Sequence, residues 1–183
     1  MLVAAYDTEL FGHWWFEGPV FLEHLFTLLA DMDGVTPRSM SAARAAHPEP
    51  ASIDLVAGSW GFRKDERSWV ADETRHMWDL LGEIEAETVR LVEKHRDASG
   101  ARATVLAQLV REALLAQASD WPFMVLRGRN DWYGEQRLRG HHERWEQLAR
   151  ALGNADGPAL EREAVEMFAI DNVLPDLRPA DVT

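Results

Sequence analysis

The chain of 183 residues contains no cysteine, which excludes disulfides and thiolate-held metals and leaves nothing that points to secretion. It is poor in basic charge. Nineteen Lys and Arg face 31 Asp and Glu, and the formal net charge of -12 argues against nucleic-acid or anionic-membrane partners, which need a basic face. Its apolar runs all fall far short of the roughly 20 residues that span a bilayer. The opening residues 1–7 lack a basic segment and meet an acid early, so no secretory leader is expected and a cytoplasmic location follows by elimination. Tyrosine is scarce too: there are two, against eight tryptophans. Tryptophan brings a flat apolar face and one N–H donor, suited both to core packing and to stacking on sugar rings.

What is present is ordinary in bulk and uneven in arrangement. Hydrophobic residues at 46% and charged residues at 27% describe a globular protein, long enough for one core or a core with an appendage. Residues 2–9 read as a short buried strand, and residues 19–32 as a helix with Pro19 in its first turn and Gly34 beyond its end, together one βα unit. Residues 35–50 read as a loop with one short helix, and residues 53–57 as a second short strand. The rest is helical by period: a long helix over 68–95, an Ala- and Leu-rich helix over 101–119 continuing at 123–127, a polar helix over 133–152, a short helix over 158–168, and an extended tail. The expected fold class is mostly α with a small α/β part. A parallel strand needs strand neighbours and this sequence offers almost none, which suggests part of a larger protein or a subunit that completes another chain's sheet.

The stretch that concentrates chemistry is Tyr6-Asp7-Thr8-Glu9-Leu10-Phe11-Gly12-His13-Trp14-Trp15-Phe16-Glu17-Gly18-Pro19. On a strand Asp7 and Glu9 share one face, about 6.6 Å apart along the chain, and paired carboxylates are the equipment of glycoside cleavage. The alternative is that Glu9 already lies in the loop and makes a cap or a salt bridge. His13 with Glu9 and Glu17, and Asp72 with His76, have metal-ligand spacing on a helix. Gly18-Pro19 argues against a regular helix at the first, and a solvated pair explains the second. His141 and His142 sit in a charged segment and are expected at the surface. Gly58-Ser59-Trp60-Gly61 reads as a tight turn presenting a ring, with Trp69 downstream as a second sugar-stacking face or as a core plug. Asp120-Trp121-Pro122 reads as a helix N-cap or a polar contact to a ligand.

Residues 6–19 resemble the fourth signature region of glycoside hydrolase family 57, in its 1,4-α-glucan branching-enzyme subgroup. Gly58-Ser59-Trp60-Gly61 with Trp69 resembles the fifth, and Ser119-Asp120-Trp121-Pro122-Phe123 and Asp171-Asn172-Val173-Leu174-Pro175 resemble segments of the family's helical C-terminal region. The resemblance implies the last βα portion of an incomplete (β/α)7 barrel over residues 1–62, followed by an α-helical domain over 63–183. It implies a retaining mechanism in which Asp7 is the acid/base, carrying a proton before the first step because of apolar surroundings or a neighbouring carboxylate. Cleaved α-1,4-glucan would pass to a 6-hydroxyl of an acceptor chain. His13, Trp14 and Trp15 would line the site, Trp60 and Trp69 would hold glucan, and Asp120 would face the cleft. The implied partner is an α-glucan such as amylose or glycogen, with no nucleic acid, membrane, metal or cofactor. Two departures stand out. Phe62-Arg63-Lys64-Asp65 replaces a run that is often glycine-rich in the family. The family's nucleophilic Glu lies on an upstream strand that these residues do not include, so the chain is expected to need an N-terminal barrel half and to be inactive alone.

Overall fold

The computed structural model describes residues 2–47, 52–128, 131–154 and 158–179. The chain divides into two compact units, Met1–Leu55 and Val56–Thr183. Among the described residues there is no strand, which corrects the expectation of strands at 2–9 and 53–57. A strand is held by ladder hydrogen bonds to a neighbour, and neither segment has one, so the backbone of the first closes on itself instead. Thr8–Phe11 forms a 3-10 turn. The Leu10 N–H donates to the Asp7 carbonyl at 3.1 Å, His13 N–H to Glu9 at 2.7 Å and Trp15 N–H to Leu10 at 2.8 Å.

These turns lead into α1 (Gly18–Asp31), with Pro19 in the first turn where no amide donor is needed. Phe11, Trp15 and Phe21 pack ring on ring, with centroids 5.8 and 4.8 Å apart. The short helix expected in the next loop is α2 (Met40–Ala46), capped by the Ser39 hydroxyl accepting from the Ala42 N–H. This unit has no core of its own: Gly18 is its one buried residue among those described. Leu22, Leu25 and Leu29 on α1 are half-buried, while Val20, Phe26 and Leu28 on its other sides stand exposed. Its polar residues Glu23, His24, Thr27 and Asp31 share one side, and the broad apolar side opposite is left partly open to solvent.

The second unit begins with three 3-10 turns, Phe62–Lys64, Glu66–Ser68 and Asp72–Thr74. Five helices follow: α3 (Arg75–Lys94), α4 (Ala101–Ala116), α5 (Asp120–Arg127), α6 (Asp131–Asn154) and α7 (Pro158–Ile170). The long helix therefore starts seven residues later than its period suggested. The Trp69 carbonyl accepts from the Thr74 hydroxyl at 2.8 Å and from the Trp78 indole at 3.0 Å, side-chain donors that replace the amide a helix would supply.

Helix α4 is the axis of this unit. Val105, Leu106, Leu109, Val110, Ala113 and Ala116 are buried on it, against Met77, Leu81, Ile84 and Leu91 of α3 and Leu138, Trp145, Leu148 and Leu152 of α6. Helices α5 and α6 approach backbone to backbone at Gly134, where a Cβ would lie 2.6 Å from the Trp121 carbonyl oxygen. The tail is not extended as expected. Residues 171–179 turn back, with Leu177 N–H donating to the Leu174 carbonyl at 2.9 Å. The buried Arg111 guanidinium donates to the carbonyls of Val173, Leu174 and Pro175.

Gly134→Ala forces one backbone off another and should cost about 1–3 kcal/mol, lowering the thermal unfolding midpoint. Gly82→Ala on α3, where an added Cβ meets nothing within 4 Å, should leave the midpoint unchanged or raise it. Equal effects of the two substitutions in a melting experiment would contradict the close approach.

Candidate functional site

The site residues expected from the sequence fall into two sets, one in each unit. In the first unit, Asp7 lies at the entrance of the Thr8–Phe11 turn with its side chain exposed. His13 and Trp14 meet edge to face at 5.3 Å, and Trp14 is 73% exposed. Trp15 faces the other way, half-buried between Phe11 and Phe21. Glu9 does not stand beside Asp7 on a strand, because that strand does not form; its carbonyl closes the turn. Residues 7–14 thus present a carboxylate, an imidazole and an indole to solvent on a turn that Trp15 pins to α1.

In the second unit the loop over 58–69 is built by its own polar groups. The Ser59 hydroxyl donates to the Asp65 carbonyl at 2.5 Å and accepts from the Gly61 N–H at 3.0 Å, while the Phe62 N–H donates to the Ser68 hydroxyl at 2.8 Å. Gly61 sits so close to Trp69 that a Cβ would lie 2.9 Å from its ring. Arg63 and Lys64 hold φ values of 56° and 61°, a left-handed backbone that favours glycine. Two long basic side chains thus stand on a backbone that favours glycine. Arg67 grips Asp65 through its guanidinium and its N–H, holding that carboxyl below the ordinary carboxylate range.

This loop carries Trp60 onto Trp69, edge to face at 5.2 Å, and both pack against Phe123 of α5 at 5.6 and 5.9 Å. Trp60 remains 68% exposed. Trp69 is half-buried, so it both packs and shows a face. Arg127 lies over the Phe123 ring at 5.1 Å. Asp120 is exposed at the first position of α5, which Ser119 precedes as N-cap. Helical spacing puts Asp120 on the same face as Phe123. The result is an exposed aromatic surface with a carboxylate one turn away. Phe123 was absent from the sequence-derived site, and its place within Ser119–Phe123 was the available signal.

A third cluster was missed. His141, expected at the surface, is fully buried with Glu112, and Asp171 lies beside them at 8% exposure. His141 Nδ1 lies 2.8 Å from Glu112 Oε2 and 3.0 Å from the Arg144 guanidinium, while the Arg137 guanidinium reaches Nε2 at 2.9 Å. Arg144 reaches Glu112 at 3.1 Å and Asp171 at 2.9 Å. Gln108 donates to Glu112 at 2.9 Å and to the Asp171 carbonyl at 3.2 Å. The Trp121 ring stacks over His141 at 6.4 Å. His141 falls in the apolar register 138, 141, 145, 148, 152 of α6, and that register was the readable sign of burial.

Glu112, His141 and Asp171 offer three ligand atoms within 4.8 Å, the separation a metal ion could use. Guanidinium groups already occupy the positions between them, so the donor set is that of a salt-bridged network and does not fit a cation. Asp72 and His76 do not pair with each other either: Asp72 holds Arg75 at 2.6 Å, and His76 meets Glu135 at 2.8 Å.

Three solved structures resemble this chain closely enough to compare. The branching enzyme of Thermococcus kodakarensis, solved in complex with glucose, superposes with a TM-score of 0.78 at 30% identity, covering 100% of this chain and 34% of that one. The branching enzyme of Pyrococcus horikoshii gives 0.76 at 33% identity, covering 98% and 34%. The α-amylase AmyC of Thermotoga maritima gives 0.64 at 27%, covering 99% and 33%. In sequence, the Thermococcus kodakarensis enzyme is 36% identical over 152 residues, 83% of this chain and 22% of the curated relative. The model of the 1,4-alpha-glucan branching enzyme C-terminal family matches residues 80–181. The chain belongs to the branching-enzyme family of glycoside hydrolase family 57 and corresponds to the C-terminal part of its relatives, spanning about a third or less of their length.

The buried network yields a stability prediction. Glu112→Gln removes the charge facing both Arg144 and His141 and should cost about 3 kcal/mol or more, read as a lower midpoint in urea. Arg150→Ala, which breaks an exposed pair with Glu146, should leave the midpoint nearly unchanged.

Proposed function

We propose that the chain forms the C-terminal portion of a retaining 1,4-α-glucan branching enzyme acting in cytoplasmic glycogen biosynthesis. The observation that carries this reading is the exposed Trp60–Trp69–Phe123 surface within a chain of the branching-enzyme family. Flat apolar faces of this kind stack on sugar rings. In this reading Trp60 and Trp69 hold glucan, with Asp120 at the cleft side of α5. His13, Trp14 and Trp15 line the site around the reacting sugar. Residues 1–62 form the end of an incomplete (β/α)7 barrel and residues 63–183 the helical domain.

Asp7 is the acid/base. It protonates the glycosidic oxygen as the chain is cleaved, a glutamate supplied by polypeptide outside these 183 residues takes up the glycosyl group, and Asp7 then removes the proton from the acceptor 6-hydroxyl. The exposed position of Asp7 supports the need for that other polypeptide, because a protonated acid requires an enclosed, apolar setting. So does the first unit, whose apolar α1 has no core to enter.

The nearer alternatives keep the site and change the acceptor. The likeness to the Thermotoga maritima α-amylase favours hydrolysis, with water replacing the 6-hydroxyl, or 4-α-glucanotransfer. A non-catalytic glucan-binding subunit would keep only the aromatic surface.

The isolated chain should not branch amylose, measured as new α-1,6 linkages, and activity should appear when an N-terminal barrel polypeptide is supplied. In that complex Asp7→Asn should reduce turnover by at least about a hundredfold, the scale of general acid–base catalysis. Branching by the isolated chain would refute the two-part site, and normal turnover by Asp7→Asn would refute the acid/base assignment.

A further inference from the structure

Helix α6 exposes a second pair of aromatic rings, Trp132 and Tyr133, at its start. A shallow, open groove of about 750 Å³ lies along its surface, lined among the described residues by α6 side chains alone, from Trp132 and Tyr133 at the start to Glu143 and Arg144 three turns on. It shares no lining residue with the Trp60–Trp69–Phe123 surface. At its head Trp132 is 64% exposed, a large apolar area left open to solvent, and it meets the neighbouring Tyr133 edge to face at 5.8 Å. Tyr133 in turn leans on Trp121 at 6.3 Å, so the pair is anchored to the body of the unit.

We propose that this groove is a second α-glucan binding site, separate from the proposed catalytic surface and resting on the reading that the chain acts on glucan. Three properties choose the ligand class. The exposed indole and phenol give a stacking platform for the apolar face of a pyranose ring. Planar polar groups follow at one-turn intervals on the same side, Gln136, Arg139 and Glu143, set to exchange hydrogen bonds with a row of hydroxyls. From Trp132 to Glu143 the helix rises about 16 Å, room for several sugar rings end to end.

Charge excludes the other polymers. Glu135 and Glu143 stand against Arg137, Arg139 and Arg144, and two of those arginines are already engaged by His141, Glu112 and Asp171. What remains is near neutral, which suits an uncharged polyhydroxyl chain and gives no purchase for phosphates. The rim is also held: Glu135 meets His76 of α3 at 2.8 Å, and the buried network fixes Arg137 and Arg144 from below. A site of this kind would tether a long glucan while its end is processed elsewhere, raising the effective concentration of chain.

The test is native gel electrophoresis of the 183-residue chain with and without amylopectin in the matrix. Trp132→Ala should weaken retardation roughly three- to tenfold. Trp132→Phe, which keeps a ring, should retain most of the binding. Trp60→Ala should weaken it independently, so that the Trp60→Ala/Trp132→Ala double variant shows the product of the two effects. Circular dichroism confirms that each variant is folded, as expected for exposed positions. If Trp132→Ala runs like the parent while Trp60→Ala is weakened, the groove is not a glucan site and the proposed function stands. If the parent chain is not retarded at all, both fail. If Trp132→Ala leaves retardation unchanged but alters the molecular mass in solution, the groove is a protein contact and the proposal is overturned.

Discussion

The second unit depends on one interior contact, the Glu112 carboxylate held between the His141 imidazole and the Arg144 guanidinium. Both partners come from α6 while Glu112 comes from α4, so the charge network fixes the rotation and height of one helix on the other. Apolar packing alone would tolerate other registers. Asp171 joins from beyond α7, and Gln108 closes the ring by bonding both Glu112 and the Asp171 carbonyl. Burying charges is costly unless every one is matched, and here the carboxylates face guanidinium groups at hydrogen-bond distance. The network also reaches outward. His141 supports the Trp121 ring, Trp121 lies in the first turn of α5, and α5 delivers Phe123 to the exposed aromatic surface. The proposed glucan surface is thus built on top of a charged interior.

The two units are opposites in physical terms. The second hides its apolar residues around α4 and leaves polar faces outside. The first turns Phe16, Val20, Phe26 and Leu28 to solvent and buries almost nothing. Yet the first carries Asp7, the residue proposed as the acid/base. A proton donor needs surroundings that the turn at Thr8–Phe11 does not supply by itself, which is why the chemistry proposed for Asp7 is tied to polypeptide beyond these residues.

The tryptophans divide by their hydrogen-bond partners as much as by their bulk. Trp145 is a core residue whose indole donates to the buried Thr88 hydroxyl at 2.9 Å. Trp121 and Trp78 are half-exposed braces whose indoles donate to the carbonyls of Leu115 and Trp69. Trp14, Trp60 and Trp132 turn a broad ring face to solvent and are the three that propose a ligand.

Much of this was legible from the residues alone, where the determining forces are local. Helical period and stop signals located α1 and α4 to α7 within a few residues and α3 but for its first turns, and the order of residues 6–19 was enough to place the chain in its family. The same local reasoning erred where the partner is distant. Residues 2–9 have strand composition, but a strand is decided by a neighbour and not by its own sequence. His141 looked like a surface residue in a charged helix, and is buried because Glu112, 29 positions earlier, supplies its partner. Trp60 and Trp69 were picked out as rings, but only folding brings Phe123 beneath them. Periodicity and capping act over a few residues, so sequence determines them; pairing of charges and rings across helices depends on how whole elements pack, and that only the tertiary structure decides.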